Sequence, residues 1–170
     1  MVIAAAREIR DGDLLFVGMR LPMLAFALAK RTHAPGALGI FENGILRDAP
    51  AREMLFTISD PPNVPGALWC TSTANIMALL QQGLVDMGFI GGAEVDRYGN
   101  LNTSYIGDWR RPAVKLPGSG GGADIASLSR RFAIIMPPTA PANPPRPTTE
   151  PIACLGNMSV ASVNRLADHP

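Results

Sequence analysis

The sequence predicts an α/β domain whose largely parallel sheet is flanked by helices. Short apolar runs of strand length at 14–17, 37–41, 85–90 and 132–136 alternate with longer segments of helical pattern. Gly, Pro, Asn and Asp punctuate the joints, so each run is bounded by a short loop. With 47% hydrophobic residues in a chain of 170, one sizeable core can be buried.

Residues 2–10 read as a first helix, and Asp11-Gly12-Asp13 is a turn into the apolar strand 14–17, which Gly18 ends. Pro22 fits the first helical position of an almost wholly apolar helix that closes at Lys30-Arg31, with Pro35-Gly36 beyond. The next strand, 37–41, runs into Glu42-Asn43-Gly44. After a loop containing Pro61, Pro62 and Pro65, a third strand is expected at 67–71. Thr73 is then placed to cap a helix carrying Ile76, Leu79, Leu80 and Leu84 on one face. A strand at 85–90 breaks at Gly91-Gly92, Tyr98-Gly99-Asn100 makes a turn, and a strand at 101–106 precedes the glycine loop 118–122. A helix over 124–131 and a strand over 132–136 complete the pattern.

Charge and composition exclude several classes. The formal net charge is +1 and the 15 Lys and Arg residues are dispersed, which disfavours nucleic acid and anionic membrane as partners. The apolar stretch 2–6 is too short for a secretory core or a membrane span, so a cytoplasmic location is expected. Cys70 and Cys154 lie far apart without CxxC or Cys/His spacing, suggesting neither a disulfide scaffold nor a metal site. Of the two histidines, His33 is expected at a helix end near the last carbonyls.

Two segments could carry chemistry. Gly118-Ser119-Gly120-Gly121-Gly122-Ala123 matches a dinucleotide pattern by letter, but no acidic residue follows the next strand to take a ribose hydroxyl, and no Lys-Ser or Lys-Thr completes a P-loop. Consecutive glycines at a helix start can instead form an oxyanion hole, or simply a flexible turn. Glu42 should stand at the end of a buried strand, where open α/β sheets bind ligands, although Asn43-Gly44 also fits an ordinary turn whose acid faces water. Arg20, Arg47, Arg110, Arg111 and Lys115 could meet phosphates or a carboxylate, but solvated charge is their default role. Asn102, Thr103 and Ser104 read as substrate hydrogen-bonding groups or as polar strand-edge residues, and Trp69 and Trp109 as packing groups.

In series, Glu42-Asn43-Gly44, Gly91-Gly92-Ala93-Glu94-Val95-Asp96, Tyr98-Gly99-Asn100-Leu101-Asn102, Ile106-Gly107-Asp108 and Gly118 to Ala123 resemble the family I coenzyme A transferases, in particular the β-type chain of glutaconate CoA-transferase. The resemblance implies the NagB/RpiA/CoA-transferase type of α/β fold. It also implies an acyl-CoA:carboxylate exchange in which Glu42 forms a glutamyl-CoA thioester, with an oxyanion hole from Gly120, Gly121, Gly122 and Ala123 and weaker substrate contacts from Asn43, Asn102 and Ser104. The thioester of coenzyme A is then a substrate, no cofactor or metal is tightly bound, and an α-type subunit completes a hetero-oligomer. Two other readings are a CoA-thioester hydrolase on the same fold and a truncated, catalytically silent subunit acting only as a binding partner.

The resemblance covers residues 1–136. Positions 137–170 hold 8 of the 16 prolines and 1 of the 17 glycines, a composition boundary that a shifted reading frame or a divergent tail would produce. Proline at this density removes backbone donors and disfavours both helix and central strand. Residues 137–150 are therefore expected to lack regular structure. Limited proteolysis read by mass spectrometry should cleave there first, and protection of that segment would displace the boundary.

Overall fold

The computed structural model describes residues 1–95 and 101–136. The expected turn at 98–100 and the Pro-rich segment 137–170 lie outside the described residues. In chain order the elements are α1 (Val2–Arg7), β1 (Leu14–Phe16), α2 (Leu21–Arg31), β2 (Leu38–Phe41), β3 (Ile45–Arg47), β4 (Trp69–Cys70), α3 (Thr73–Gln81) and β5 (Met87–Ile90). There follow β6 (Glu94–Val95), β7 (Leu101–Asn102), β8 (Tyr105–Asp108), β9 (Arg111–Lys115), α4 (Gly122–Leu128) and β10 (Arg131–Ile134).

The main sheet has six strands in the order β10-β5-β1-β2-β3-β4. β10, β5, β1 and β2 are parallel, while β3 and β4 add two antiparallel strands at one edge. Side chains alternate across a strand, and the packing follows that parity. Leu15, Val17, Phe41, Met87, Phe89 and Ala133 join the core under α1 and α2. Phe16, Ile40, Ile90, Phe132 and Ile134 join the second core, with Ile76 and Leu80 of α3 and Ile125 of α4. Both faces are thus covered, which is why the parallel strands read as continuous apolar runs. Two strand glycines let helices approach: a Cβ at Gly39 would sit 3.0 Å from the Phe26 ring, and one at Gly88 would sit 2.3 Å from Ile125 Cγ2.

Several boundaries differ from the sequence expectation for identifiable reasons. The first helix stops at Arg7 rather than residue 10, because Asp13 turns the chain by accepting from Arg10 N–H at 2.8 Å. The third helix is capped by Ser72, not Thr73, through its hydroxyl and Asn75 N–H at 3.4 Å, and Leu84 is exposed beyond the helix. The strand expected at 101–106 is broken, because Asn102 Oδ1 accepts from Ser104 N–H at 3.0 Å and forms a tight turn. β3, β6 and β9 have no counterpart in the sequence expectation; β6 pairs with β7, and β9 with β8 as a hairpin, outside the main sheet. His33 sits at the end of α2 as expected: its backbone N–H donates to Ala29 O at 3.1 Å and its ring Nδ1 meets the hydroxyl of the C-cap residue Thr32 at 3.0 Å, while Nε2 meets Ile9 O at 3.0 Å, bridging toward α1. Among the described residues no helix is long and apolar enough to cross a membrane.

Two aspartates hold the amino-terminal edge of the parallel strands. Asp86 Oδ2 accepts from Leu14 N–H at 2.9 Å, and its Oδ1 pairs with Arg130 at 3.0 Å. Asp13 Oδ2 pairs with Arg131 Nη2 at 2.6 Å, with both side chains largely buried, and Arg131 Nη1 donates to Glu8 O at 2.9 Å. Breaking a largely buried pair strands its partner's charge, so Asp13→Ala should lower stability by about 2–3 kcal/mol in urea titration. Asp13→Ala/Arg131→Met should recover part of that loss. Additive losses, the double variant falling by the sum of Asp13→Ala and Arg131→Met alone, would show that the pair itself contributes nothing.

Candidate functional site

The carboxyl edge of the parallel strands is where the chain divides. β1 leads through α2 to β2 on one side, whereas β5 leads through α4 to β10 on the other. Divergence of this kind opens a crevice at the strand ends, the usual ligand position in open α/β sheets. Gly18 closes its floor, since a Cβ there would lie 3.0 Å from Phe89 O.

Glu42 stands on this edge, immediately after β2. Gly44 N–H donates to Phe41 O at 3.0 Å while Phe41 pairs with Ile45, so residues 42–44 form a three-residue hairpin loop. Its last position, Gly44, has φ +100°. Asn43 has no positive φ, so Asn-Gly here is not the two-residue turn that the dipeptide commonly marks. The loop is fixed against the chain entering α3: Thr71 N–H donates to Gly44 O at 2.7 Å, and a Cβ at position 44 would fall 1.9 Å from Thr71 O.

Parity turns the half-buried Glu42 side chain toward the α3/α4 face, where it meets the glycine loop. A Cβ built on Gly121 would lie 3.3 Å from Glu42 Oε1 and 3.7 Å from Met77 Cε; one on Gly120 would lie 3.9 Å from the same oxygen. Two motifs far apart in sequence are therefore one constellation. Met77, absent from the sequence candidates, is the apolar wall beside it, signalled only by its place on the buried side of α3.

Gly118 and Gly120 bend the loop with φ +95° and +48°, and Gly118 N–H is anchored on Thr103 O at 2.8 Å. Gly122 N–H is already donated to Ser119 O at 2.8 Å, which removes it from the expected oxyanion donors. Among the described residues the N–H groups of Gly120 and Gly121 have no backbone acceptor. Ala123 is exposed in the first turn of α4.

The three weaker candidates do different work from that expected. Asn43 Nδ2 donates to Ile58 O at 2.8 Å, binding the hairpin loop to the 50s segment, while its Oδ1 is buried without a partner among the described residues. Asn102 spends its amide on Glu94 Oε2 at 2.8 Å and Tyr105 O at 2.6 Å, and its oxygen on the turn at Ser104. Ser104 is exposed, and its carbonyl takes Leu116 N–H at 2.9 Å. Asn102 and Ser104 thereby shape the support from which the glycine loop departs.

Arg47 is buried rather than solvated. It donates to Ala49 O at 2.9 Å, Asn63 O at 2.5 Å and Pro65 O at 2.9 Å. Burial pushes its guanidinium below the ordinary arginine pKa, while neighbouring Asp48 and Cys70 act in the opposite direction. Arg20, Arg110, Arg111 and Lys115 are exposed. Trp69 and Trp109 are not core packing groups: both are exposed, and Arg110 lies 5.0 Å over the Trp109 ring.

The family described as coenzyme A transferase matches residues 1–140. The β chain of the 3-oxoadipate CoA-transferase of Pseudomonas knackmussii is 39% identical over 137 residues, 80% of this chain and 52% of that protein. The β chain of the glutaconate CoA-transferase of Acidaminococcus fermentans is 33% identical over 132 residues, 75% and 49% of the two chains. The crystal structure of that organism's glutaconate coenzyme A-transferase superposes with TM-score 0.72 at 29% identity, covering 79% of this chain and 53% of the other. The crystal structure of the decarboxylase AibA/AibB superposes with TM-score 0.70 at 31% identity, covering 78% and 56%. The chain spans about half the length of the curated relatives it matches. On the family match and these two curated relatives, the chain belongs to the coenzyme A transferase family and is of its β type.

Proposed function

We propose that the chain serves as the β-type subunit of an acyl-CoA:carboxylate CoA-transferase, with Glu42 as nucleophile and an α-type subunit completing the enzyme. The observation that carries this reading is the approach of the Glu42 carboxylate to the Gly120-Gly121 loop, where a Cβ built on Gly121 would lie 3.3 Å from Oε1. A reactive carboxylate and a stretch of open backbone donors are the two parts that acyl exchange requires.

In the proposed cycle a Glu42 oxygen attacks the acyl carbonyl of the donor thioester, and CoA leaves as thiolate with a mixed anhydride behind. The thiolate attacks the Glu42 carbonyl, giving a glutamyl-CoA thioester and releasing the donor carboxylate. The acceptor carboxylate then attacks this thioester to form a second anhydride, whose acyl carbonyl takes the thiolate and frees Glu42. CoA is thus a substrate rather than a resident cofactor. Each attack builds negative charge on a carbonyl oxygen, and in this reading the N–H groups of Gly120 and Gly121, which have no backbone acceptor among the described residues, stabilise it. Short carboxylic acids are the proposed substrate class, in keeping with relatives named for 3-oxoadipate and glutaconate. Met77 and the glycine loop crowd the carboxylate and restrict water at an intermediate that water would hydrolyse.

The test uses the chain co-expressed with an α-type subunit. An acyl-CoA donor without acceptor should leave CoA on the peptide containing Phe41-Glu42-Asn43, and hydroxylamine should convert that side chain to a hydroxamate. Glu42→Ala should abolish labelling and exchange together. A Cβ at position 121 meets the nucleophile and not the backbone, so Gly121→Val should slow exchange about a hundred- to a thousandfold while leaving the melting temperature nearly unchanged. A label on the partner subunit, or full exchange by the Glu42→Ala complex, would remove the nucleophile from this chain.

A further inference from the structure

The opposite face of the same sheet edge carries a feature that acyl exchange does not use. Between α2 and residues 50–57 lies a cavity of about 540 Å³, a volume within the range of small-molecule sites. Its walls are mainly apolar, with Leu24, Phe26, Phe41, Leu55 and Phe56 among them. Three arginines, Arg20, Arg31 and Arg52, meet one acid, Glu53, around it. None of the three arginines makes an ion pair or side-chain hydrogen bond among the described residues.

Arg20 is also where the backbone is strained. With φ +64° and ψ −110° it is the only non-glycine residue at positive φ among the described residues, and the pair of angles mirrors an extended conformation. Glycine reaches that region freely, whereas a residue with a Cβ is held there against a steric cost. Such outliers persist where the surroundings enforce them, and they concentrate at ligand clamps. Here the strained residue sits at the start of α2, beside the cavity, and carries a cation.

We propose that this cavity binds a carboxylic acid with an apolar chain of several carbons, its carboxylate held by the strained Arg20 and its chain by the wall of α2 and residues 50–57. The excess of guanidinium groups selects an anion, and a planar fork suits a carboxylate in particular. The apolar walls select a chain, which a small inorganic anion lacks. Phe41 faces this cavity while Glu42 faces the glycine loop, so the site is additional to the exchange site and does not depend on the chemistry proposed for Glu42.

Octanoate titrated into the full chain by calorimetry should bind saturably, and acetate and octanol should each bind at least tenfold more weakly. Arg20→Gly should weaken octanoate by about tenfold or more while raising the melting temperature, since it removes the guanidinium and the strain together. Ala27→Trp, which fills the cavity from α2 without altering Arg20, should abolish octanoate binding with the fold intact by circular dichroism. The proposal fails if octanoate does not bind saturably, if octanol binds as well as octanoate, or if either variant keeps the parent affinity.

Discussion

A side chain at position 44 has nowhere to go. The Thr71 carbonyl occupies the space where its Cβ would be, 1.9 Å away, and φ +100° disfavours every residue except glycine. This one contact fixes three things. It ties the loop of the β2–β3 hairpin to the end of β4, because Thr71 N–H donates to Gly44 O there. It delivers the chain to Ser72, whose hydroxyl caps α3 and so sets where Met77 falls. And it holds Glu42 at the strand end, two residues before the glycine, in a loop too short to let that carboxylate drift.

The sheet's two-residue period then separates two environments on one edge. Phe41 and Glu42 are consecutive, so they address opposite faces. The first lines the cavity against α2, and the second meets the glycine loop at the start of α4. The same parity explains why α4 can come close enough: Gly88 lies on the Glu42 face and leaves room for Ile125, which draws the helix and the loop ahead of it onto the sheet. A methyl group at position 88 would overlap Ile125 Cγ2 and push Gly121 away from Glu42. Packing within the core and geometry within the site are therefore not independent.

The parallel centre of the fold was legible in the sequence because burial on both faces leaves continuous apolar runs, and β1, β2, β5 and β10 all fall inside the expected ranges or within one residue of them. What failed to show was whatever depends on side-chain to backbone bonding. Asn102 looks like a strand residue by pattern, yet its amide and oxygen are both consumed in a turn that splits one expected strand into β7 and β8. Arg47 looks solvated by type, yet three carbonyls from residues 49–65 gather around it, and no local pattern announces carbonyls that arrive from a loop. For the site, the two motifs were visible separately. Their meeting could not be read from spacing, since it is set by Gly88, Ile125 and the Thr103 anchor of the loop.

The glycine loop also shows why a string of glycines is a poor measure of how many donors it offers. Gly122 N–H turns back to Ser119 O, and this bond shapes the entry to α4 by placing Gly121 at its cap. Ile125 N–H donates to Gly121 O at 2.9 Å and opens the helix there, and the capping glycine stands with its missing Cβ 3.3 Å from the Glu42 oxygen. Spending one N–H on the turn leaves the next two upstream without a backbone acceptor among the described residues, in the stretch of loop that approaches the carboxylate. A donor given up to local structure is not available to a ligand, so in a loop of this length the turn and any ligand must draw on different residues.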